Sequence, residues 1–352
     1  MIPVYLHTPA GELLQRLEVV SASFGRNYDQ IGTMNLVCEI PKQYGYNHRV
    51  VVDLAGESNV LWTIVDYEEL AVGNRTLLSI DCQDGKRQFN KRIVLAYNDT
   101  AAGYKINYPQ VVCAEVINEN MVSHISTERN VLGLQSATVN AALSAGWTAW
   151  EGEVAWKKVW DVITTLMEYG RATSNPFYVD FLTDAQGGAT FTPIIARRAG
   201  VERTVNSMQL ARYGLTVRAK DSGEAWATRV IGLGSGDGSL ALWTQYPTSF
   251  AVSRDTDPFF YSEEISSQGN EDDLDALTSQ VKATYADIAR KKSIILEGAG
   301  PVRGFWGSVI GYGDGLTLRH RDIEYQVTVV GYSISWEGAG EPQISLVCAE
   351  GY

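Results

Sequence analysis

The sequence of 352 residues has no apolar run that approaches the roughly 20 residues needed to cross a membrane, and runs such as Arg49–Ala55 are far shorter. Residues 1–15 also lack the basic and apolar regions of a secretory signal peptide. These absences predict a protein that is made in the cytoplasm of a cell and does not insert into a membrane.

Cysteine is scarce, and no two cysteines form a Cys-x-x-Cys pair. Cys38, Cys82, Cys113 and Cys348 each lie alone in an apolar or alternating segment, which favours reduced, partly buried thiols over a disulfide framework. The four histidines lie in four different segments, with no carboxylate at ligand spacing on a common helix face. We therefore expect no bound metal.

Clusters of basic residues are absent as well. The sequence has 29 Lys and Arg against 41 Asp and Glu, which gives a formal net charge of −12. A protein that grips nucleic acid through its phosphates needs concentrated positive charge, so this class is disfavoured.

The composition is otherwise that of a folded protein rich in turns. Hydrophobic residues make up 45% and charged residues 20% of the chain, with 33 glycines and 10 prolines. The length predicts two or three domains, and the turn density favours many short strands.

Residues 1–95 have the two-residue period of an antiparallel β meander. In Thr33–Ile40, for example, Met34, Leu36, Cys38 and Ile40 alternate with residues of the opposite face. Later strands are predicted by the same signals over 176–182, 189–196, 316–318, 325–335 and 343–348, and a hairpin is predicted between 213–219 and 225–231.

Two segments have helical periodicity. The first, 152–169, is followed by Gly170 as a stop, and the second, 271–292, follows Asn270 as N-cap and ends in basic residues. The predicted buried stripes are Trp156, Val159, Trp160, Ile163 and Met167 in the first helix, and Leu274, Leu277, Val281, Tyr285 and Ile288 in the second.

Motifs for catalysis or cofactor binding are weak. The glycine run over 232–238 lacks the third glycine of a dinucleotide loop, and a strand-like segment follows it, so a tight turn is favoured. Gly56, Glu57 and Ser58 resemble a nucleophile elbow, but Val60 stands where its closing glycine belongs.

An acidic group before the second helix offers a glycosidase pair of carboxylates, although a solvated acidic loop is favoured; it comprises Asp255, Asp257, Glu263 and Glu264. We expect no catalytic residue, no metal and no cofactor. The residues alone predict a non-catalytic assembly or binding protein.

The order of several segments resembles the tail hub, or baseplate hub, proteins of tailed bacteriophages, especially those with long non-contractile tails. The resemblance is carried by 24–36, by 77–85 with Arg92, by 116–130, by 200–236 and by the turn at 312–315 before 316–318. It assigns structural roles to nine residues. These are Arg92, Asn120, Arg129, Arg203, Thr204, Gly232, Gly234, Gly313 and Asp314.

The resemblance implies a mainly β fold with α+β insertions: two β-barrel tube domains plus two smaller peripheral α+β domains. The implied boundaries are 1–95 for the first tube domain, 96–200 for a peripheral domain, 201–236 with 305–352 for a discontinuous second tube domain, and 237–304 for an insertion that carries the helix 271–292.

The function that it implies is structural. Three copies would form a hub ring that joins the hexameric tail tube to the three-fold tip at the distal end of the virion tail. The implied partners are further copies of the chain, distal tail or tail-tube ring proteins, and central fibre or tip proteins. Genomic DNA would pass through without specific binding, and we expect an electronegative bore.

Two alternatives remain open. A tail-associated cell-wall hydrolase would depend on one carboxylate, and a carbohydrate-binding receptor protein would bind a host sugar as an isolated chain.

Overall fold

A computed structural model describes most of the chain. The described residues are 2–95, 103–124, 126–139, 147–173, 175–184, 188, 190–196, 201–206, 210–211, 214–222, 228–236, 240–248, 263–267, 269, 271–288, 291–298, 302, 305–320 and 323–349. The fold is mainly β, as predicted, with a large sheet and a few helices. No helix within these ranges is both long and apolar enough to cross a membrane.

The first region forms the predicted antiparallel strands. They are β1 (Val4–His7), β2 (Leu13–Arg16), β3 (Val19–Asn27), β4 (Gln30–Glu39), β5 (Arg49–Val52), β6 (Trp62–Val72) and β7 (Arg75–Gln83). The alternation in β4 buries Met34, Leu36 and Cys38, as expected. Ile40 is 40% exposed because β4 ends at Glu39, one residue before it.

The middle region combines short strands with helices around its own apolar core. Its elements are α1 (Arg87–Asn90), β8 (Tyr104–Asn107), α2 (Pro109–Ile117), β9 (Thr138–Val139), β10 (Trp150–Glu153), α3 (Val159–Ala172), β11 (Tyr178–Thr183) and β12 (Phe191–Ala196). Strands β8 and β10 pair antiparallel, and β12 lies between antiparallel β11 and parallel β9.

The helix predicted over 152–169 begins later than expected, at Val159. The preceding residues form β10, whose pairing with distant β8 is not a local sequence signal. Trp156 lies outside the helix with a φ of +61° and is 63% exposed, so it does not belong to the buried stripe. Gly170 lies inside the helix rather than at its end. A Cβ added to Gly170 would lie 2.8 Å from the Asn175 carbonyl oxygen.

The remaining elements complete the large sheet and form a small one. They are β13 (Glu202–Asn206), β14 (Leu215–Ser222), β15 (Arg229–Leu233), β16 (Trp243–Tyr246), β17 (Glu263–Ser267), α4 (Leu274–Ile288), β18 (Lys291–Gly298), β19 (Gly315–His320), β20 (Ile323–Glu337) and β21 (Gln343–Ala349). The predicted hairpin around 220–223 is wrong. Strand β14 pairs with β18, whereas β15 lies between β16 and β17 in a separate sheet that packs on α4.

The second predicted helix is shorter than 271–292. Helix α4 begins at Leu274, where Asp273 accepts the backbone N–H groups of Asp275 and Ala276 at 2.7 and 3.1 Å and so acts as the N-cap. Asn270 and Arg290 lie outside the described residues, and Lys291 and Lys292 begin β18 instead of ending the helix. In its stripe Leu277 and Val281 are fully buried, but Leu274 is 49% exposed.

Strands β1–β7 of the first region share one 13-stranded sheet with β13, β14 and β18–β21 of the last region. The two sets of strands are joined where β3 pairs antiparallel with β20. Its main path runs β14-β18-β21-β20-β3-β4-β7-β6-β5-β1-β2, and β13 pairs with β19 at the side of β20. One apolar core spans both regions. Pairing among the described strands does not close this sheet into a barrel.

Candidate functional site

A row of polar side chains crosses the join of the large sheet on the face opposite its core. Register places them side by side on six neighbouring strands, in the order Gln343, Ser335, Ser23, Asn35, Asp81 and Asp66. We call this surface, which includes the neighbouring grooves along β3, β4 and β20, the polar face. The Asn35 amide donates a hydrogen bond to Asp81 at 2.8 Å, so part of the row is fixed.

The exposed charged side chains along these grooves are acidic among the described residues: Asp66, Asp81, Glu337 and Glu341. Arg26 also borders the grooves, but its side chain is buried and paired with acids on the other side of the sheet. The polar face therefore presents hydroxyls, amides and negative charge to solvent.

Four charged side chains are buried together where the first and middle regions meet. Arg26 of β3 pairs with Asp180 of β11, and its Nε lies 3.5 Å from Asp84 Oδ2. Lys86 lies 3.5 Å from the same Asp84 oxygen and donates a 2.5 Å hydrogen bond to the Asn27 carbonyl oxygen. Each residue is at most 4% exposed. Two cations thus balance two anions, which is the condition under which buried charge is tolerated.

Tyrosines surround this charge network and strengthen it. The Tyr178 hydroxyl donates to Asp180, and the Arg26 guanidinium carbon lies 4.7 Å from the centre of the Tyr312 ring. Burial alone would raise the pKa of Asp180, but Arg26, Lys86 and the Tyr178 hydroxyl together hold it below its ordinary value.

Glu57 lies beside the network as a third buried acid. The Tyr332 hydroxyl donates to its Oε2, and the Trp306 side chain also favours the charged form of this carboxyl. Burial raises the pKa of Glu57 from 4.5 to about 7, and Arg26 and Tyr332 limit the rise. The carboxyl therefore exchanges its proton near neutral pH.

We expect Glu57→Gln to change how stability depends on pH. In the folded protein Glu57 keeps its proton up to about pH 7, whereas in the unfolded chain it loses the proton near pH 4.5. The contribution of Glu57 to the free energy of unfolding is therefore fully present below pH 4.5 and is lost as pH rises through about 7. The free energy of unfolding of the variant, measured relative to that of the wild type by denaturant unfolding, should rise by up to about 3 kcal/mol between pH 4.5 and 8. The exposed Glu68→Gln variant is the control. A constant difference across this range would contradict the prediction.

Three of the nine residues assigned by the family resemblance meet at the segment after α1. Asn120 accepts the Leu95 N–H at 3.1 Å and donates to the Val116 carbonyl at 2.9 Å, and Arg129 donates to the Ile93 carbonyl at 2.6 Å. Arg92 accepts the Val159 N–H through its backbone carbonyl at 2.9 Å. This group fixes the end of the first region against α3.

Three others meet at the turn before β19. Arg203 donates to Asp314 at 2.5 Å and to the Ser308 carbonyl at 3.0 Å. Asp314 also accepts the backbone N–H groups of Val201 and Gly311 at 2.8 and 2.7 Å. Gly313 has a φ of +81°, which favours glycine, and Thr204 lies nearby on β13 opposite Thr317.

Gly232 and Gly234 lie against α4 rather than around a cofactor. An added Cβ on Gly232 would lie 2.1 Å from Val281, and one on Gly234 would lie 2.5 Å from the Glu271 carbonyl oxygen. The chain continues into strand β16, which pairs back on β15. The glycines therefore allow a small sheet and a helix to approach closely.

The four cysteines are free and buried, as predicted. Burial raises the pKa of Cys38 and of Cys348 to about 12, so neither is a reactive thiolate at neutral pH. No group of His, Cys, Asp and Glu within the described ranges has a metal-binding arrangement. Of the proposed glycosidase acids, Glu263 and Glu264 are exposed on β17, and Asp255 and Asp257 lie outside those ranges.

The sequence did not predict the buried charge network or the burial of Glu57. Its available signals were Arg26 at a buried position of the alternating β3 pattern, and the glycines Gly32 and Gly85 beside it. An added Cβ on Gly32 would lie 2.7 Å from Asp84 Oδ2, and one on Gly85 would lie 2.6 Å from the Phe181 carbonyl oxygen. Both glycines therefore make room for the network.

No model of a known protein family matches the chain, and no curated protein sequence matches it. Solved structures are similar over nearly the whole length. A tail protein from Neisseria meningitidis MC58 has 13% identity and a TM-score of 0.57, with 99% of this chain and 96% of that one covered.

The 43 kDa tail protein of prophage MuSo2 from Shewanella oneidensis has 9% identity and a TM-score of 0.59, with 99% and 98% of the two chains covered. Prophage tail protein gp18 from Listeria monocytogenes EGD-e has 12% identity and a TM-score of 0.53, with 98% and 94% covered. Identities this low are evidence for shared fold alone. The chain therefore has the fold of these tail proteins.

Proposed function

We propose that the chain is a structural component of a bacteriophage tail tip, in which three copies form a hub ring between the hexameric tail tube and the three-fold tip. The observation that carries the proposal is the similarity of fold to three tail proteins over 94–98% of their lengths. A similarity that spans whole chains supports a shared structural role better than one restricted to a single domain.

The proposed ring has two tube domains per chain, so that three copies supply six units to match the tail tube. The pairing of β3 with β20 supports this arrangement, because it joins a β region from each part of the chain edge to edge. The peripheral domains would be 96–200 and 237–304, on the outside of the ring.

The polar face is the part of the chain that we propose lines the DNA path. Most of its exposed side chains are small, polar or acidic, with Val347 as an exposed apolar exception, and they continue across both β regions without an exposed cation among the described residues. A wall that conducts DNA must not hold it, and each Lys or Arg that neutralises a phosphate adds salt-dependent affinity. The ring would lie at the distal end of the tail, between tail-tube and tip proteins.

The test is the mass and shape of the purified chain. We expect three copies of the 38.7 kDa chain, about 116 kDa, in a ring with an open centre. Light scattering over a range of concentrations gives the mass, and negative-stain microscopy gives the shape. A constant mass of one copy, together with six copies per virion tail, would contradict the proposal.

A further inference from the structure

A cavity of about 630 Å³ lies between the β1–β2 turn, the start of β5, the end of α1 and the segment 131–133. Two arginines, Arg49 and Arg92, line it, and no acidic residue does so among the described residues. In a chain with a formal charge of −12, a cavity with only positive charge is unusual. It is separate from the polar face and from the buried charge network.

Arg92 has a half-buried guanidinium whose charge no acid balances in the described part of the chain. Its Nε is buried and has no hydrogen-bond partner among the described residues. Burial lowers the pKa of Arg92, and the positive charge of Arg129 lowers it further. Arg129 donates to the Ile93 carbonyl oxygen, but its own Nε is also buried without a partner.

Arg49 is held at another wall of the cavity in a fixed position. Its guanidinium donates to the carbonyl oxygens of Pro9 and Gly188, and its central carbon lies 4.9 Å from the centre of the Phe191 ring. Keeping Arg92 close to the like-charged Arg129 is costly, because Arg92 loses hydration without gaining an ion pair among the described residues. An anion in the cavity would remove this cost.

We propose that this cavity is a socket for a peptide segment of a partner protein that carries a carboxylate next to an apolar side chain. The carboxylate would accept hydrogen bonds from Arg92, whose planar guanidinium suits two-point binding of such a group. The apolar side chain would lie against Phe191, Val131 and Leu132. Leu132 is 95% exposed in the chain alone.

The size and walls of the cavity favour this ligand over an inorganic anion. Its volume lies in the range of roughly 300 to 1,000 Å³ that suits organic groups, and it exceeds what one phosphate fills. Several of its walls are aromatic or aliphatic, and these would not stabilise a doubly charged ion. The segment would thus supply one negative charge and an apolar body.

The inference is tested with N-acetyl-4-fluoro-L-phenylalanine as the probe and the full chain as the receptor, followed by ¹⁹F NMR titration. We expect saturable binding that the C-terminal amide of the same compound lacks. Arg92→Gln should weaken binding at least about tenfold, because a charge-assisted hydrogen bond is lost. Arg75→Gln, which removes an exposed arginine of β7, is the matched control and should bind as the wild type does.

Absence of saturable binding would overturn the inference, as would equal binding of the amide or unchanged affinity in the Arg92→Gln variant. If inorganic phosphate displaces the probe at equal concentration, the cavity is a general anion site and the proposed segment is wrong. The unfolding midpoints of both variants show whether they remain folded. The result is independent of the hub proposal, because binding is measured on each chain whether or not three chains form a ring.

Discussion

Asp180→Asn is expected to lower the free energy of unfolding by about 3–5 kcal/mol at pH 7, measured by denaturant unfolding. The substitution keeps the side-chain volume but removes the charge that faces Arg26. Arg26 is 4% exposed, and its other acidic partner, Asp84, lies 3.5 Å away and is shared with Lys86. Arg26 and Lys86 would then face only Asp84 and the partly ionised Glu57.

The matched control is the double variant Asp180→Asn with Arg26→Met, in which both charges are absent. Replacing a buried ion pair by neutral groups costs much less than removing one partner. We therefore expect the double variant to recover at least half of the loss. If Asp180→Asn costs less than about 1 kcal/mol, or if the second substitution adds a further full loss, the charge balance does not explain the stability of this junction.

The β meander of residues 1–95 could be predicted from the sequence because its information is local. Strands that bury one face alternate apolar and polar residues, and Met34, Leu36 and Cys38 follow this period. Short turns between successive segments also favour antiparallel neighbours. The meander prediction failed in the pairing order, because β4 pairs with β7 and β1 pairs with β5, and it failed at the end of β4, where Ile40 continues the period after the strand has ended.

Pairings between distant segments could not be predicted. Strands β14 and β15 are separated by a turn-like sequence, yet β14 pairs with β18 and β15 enters another sheet. Local signals favour a hairpin there, and the loss of that hairpin is compensated by packing against α4 at Gly232. The paired residues of β3 and β20 are about 300 positions apart in the sequence, so no local sequence pattern predicts their pairing.

The structural roles that the resemblance assigns to nine residues stay predictions, although the structure shows which contacts several of them make. The resemblance selected Arg203 and Asp314, which form an ion pair, and Asn120 and Arg129, which bind the same short segment. It did not select Asp180 of β11 or Glu57 of the turn between β5 and β6, and a charged residue in a strand or a turn is ordinarily assigned to the solvent-exposed surface. Only the fold places these acids beside Arg26.

Two tryptophans of the middle region, Trp156 and Trp160, are four residues apart but differ in burial. Trp160 is 8% exposed, its ring stacks on Phe89 at a centroid distance of 6.3 Å, and the Lys86 ammonium lies 5.7 Å from its centre. Trp156 precedes the helix and is 63% exposed. The sequence assigned both to one buried stripe, whereas the structure separates them.

Trp160→Ala should therefore lower the free energy of unfolding by about 3–5 kcal/mol, since it leaves a large cavity between α1, α3 and the strands of this region. Trp156→Ala should cost less than about 0.5 kcal/mol, because an exposed ring loses little packing and the backbone N–H that bonds the Val94 carbonyl is kept. Denaturant unfolding of both variants measures the difference. Equal losses would mean that Trp156 is buried in the folded protein and that the helix begins before Val159, as its periodicity alone predicts.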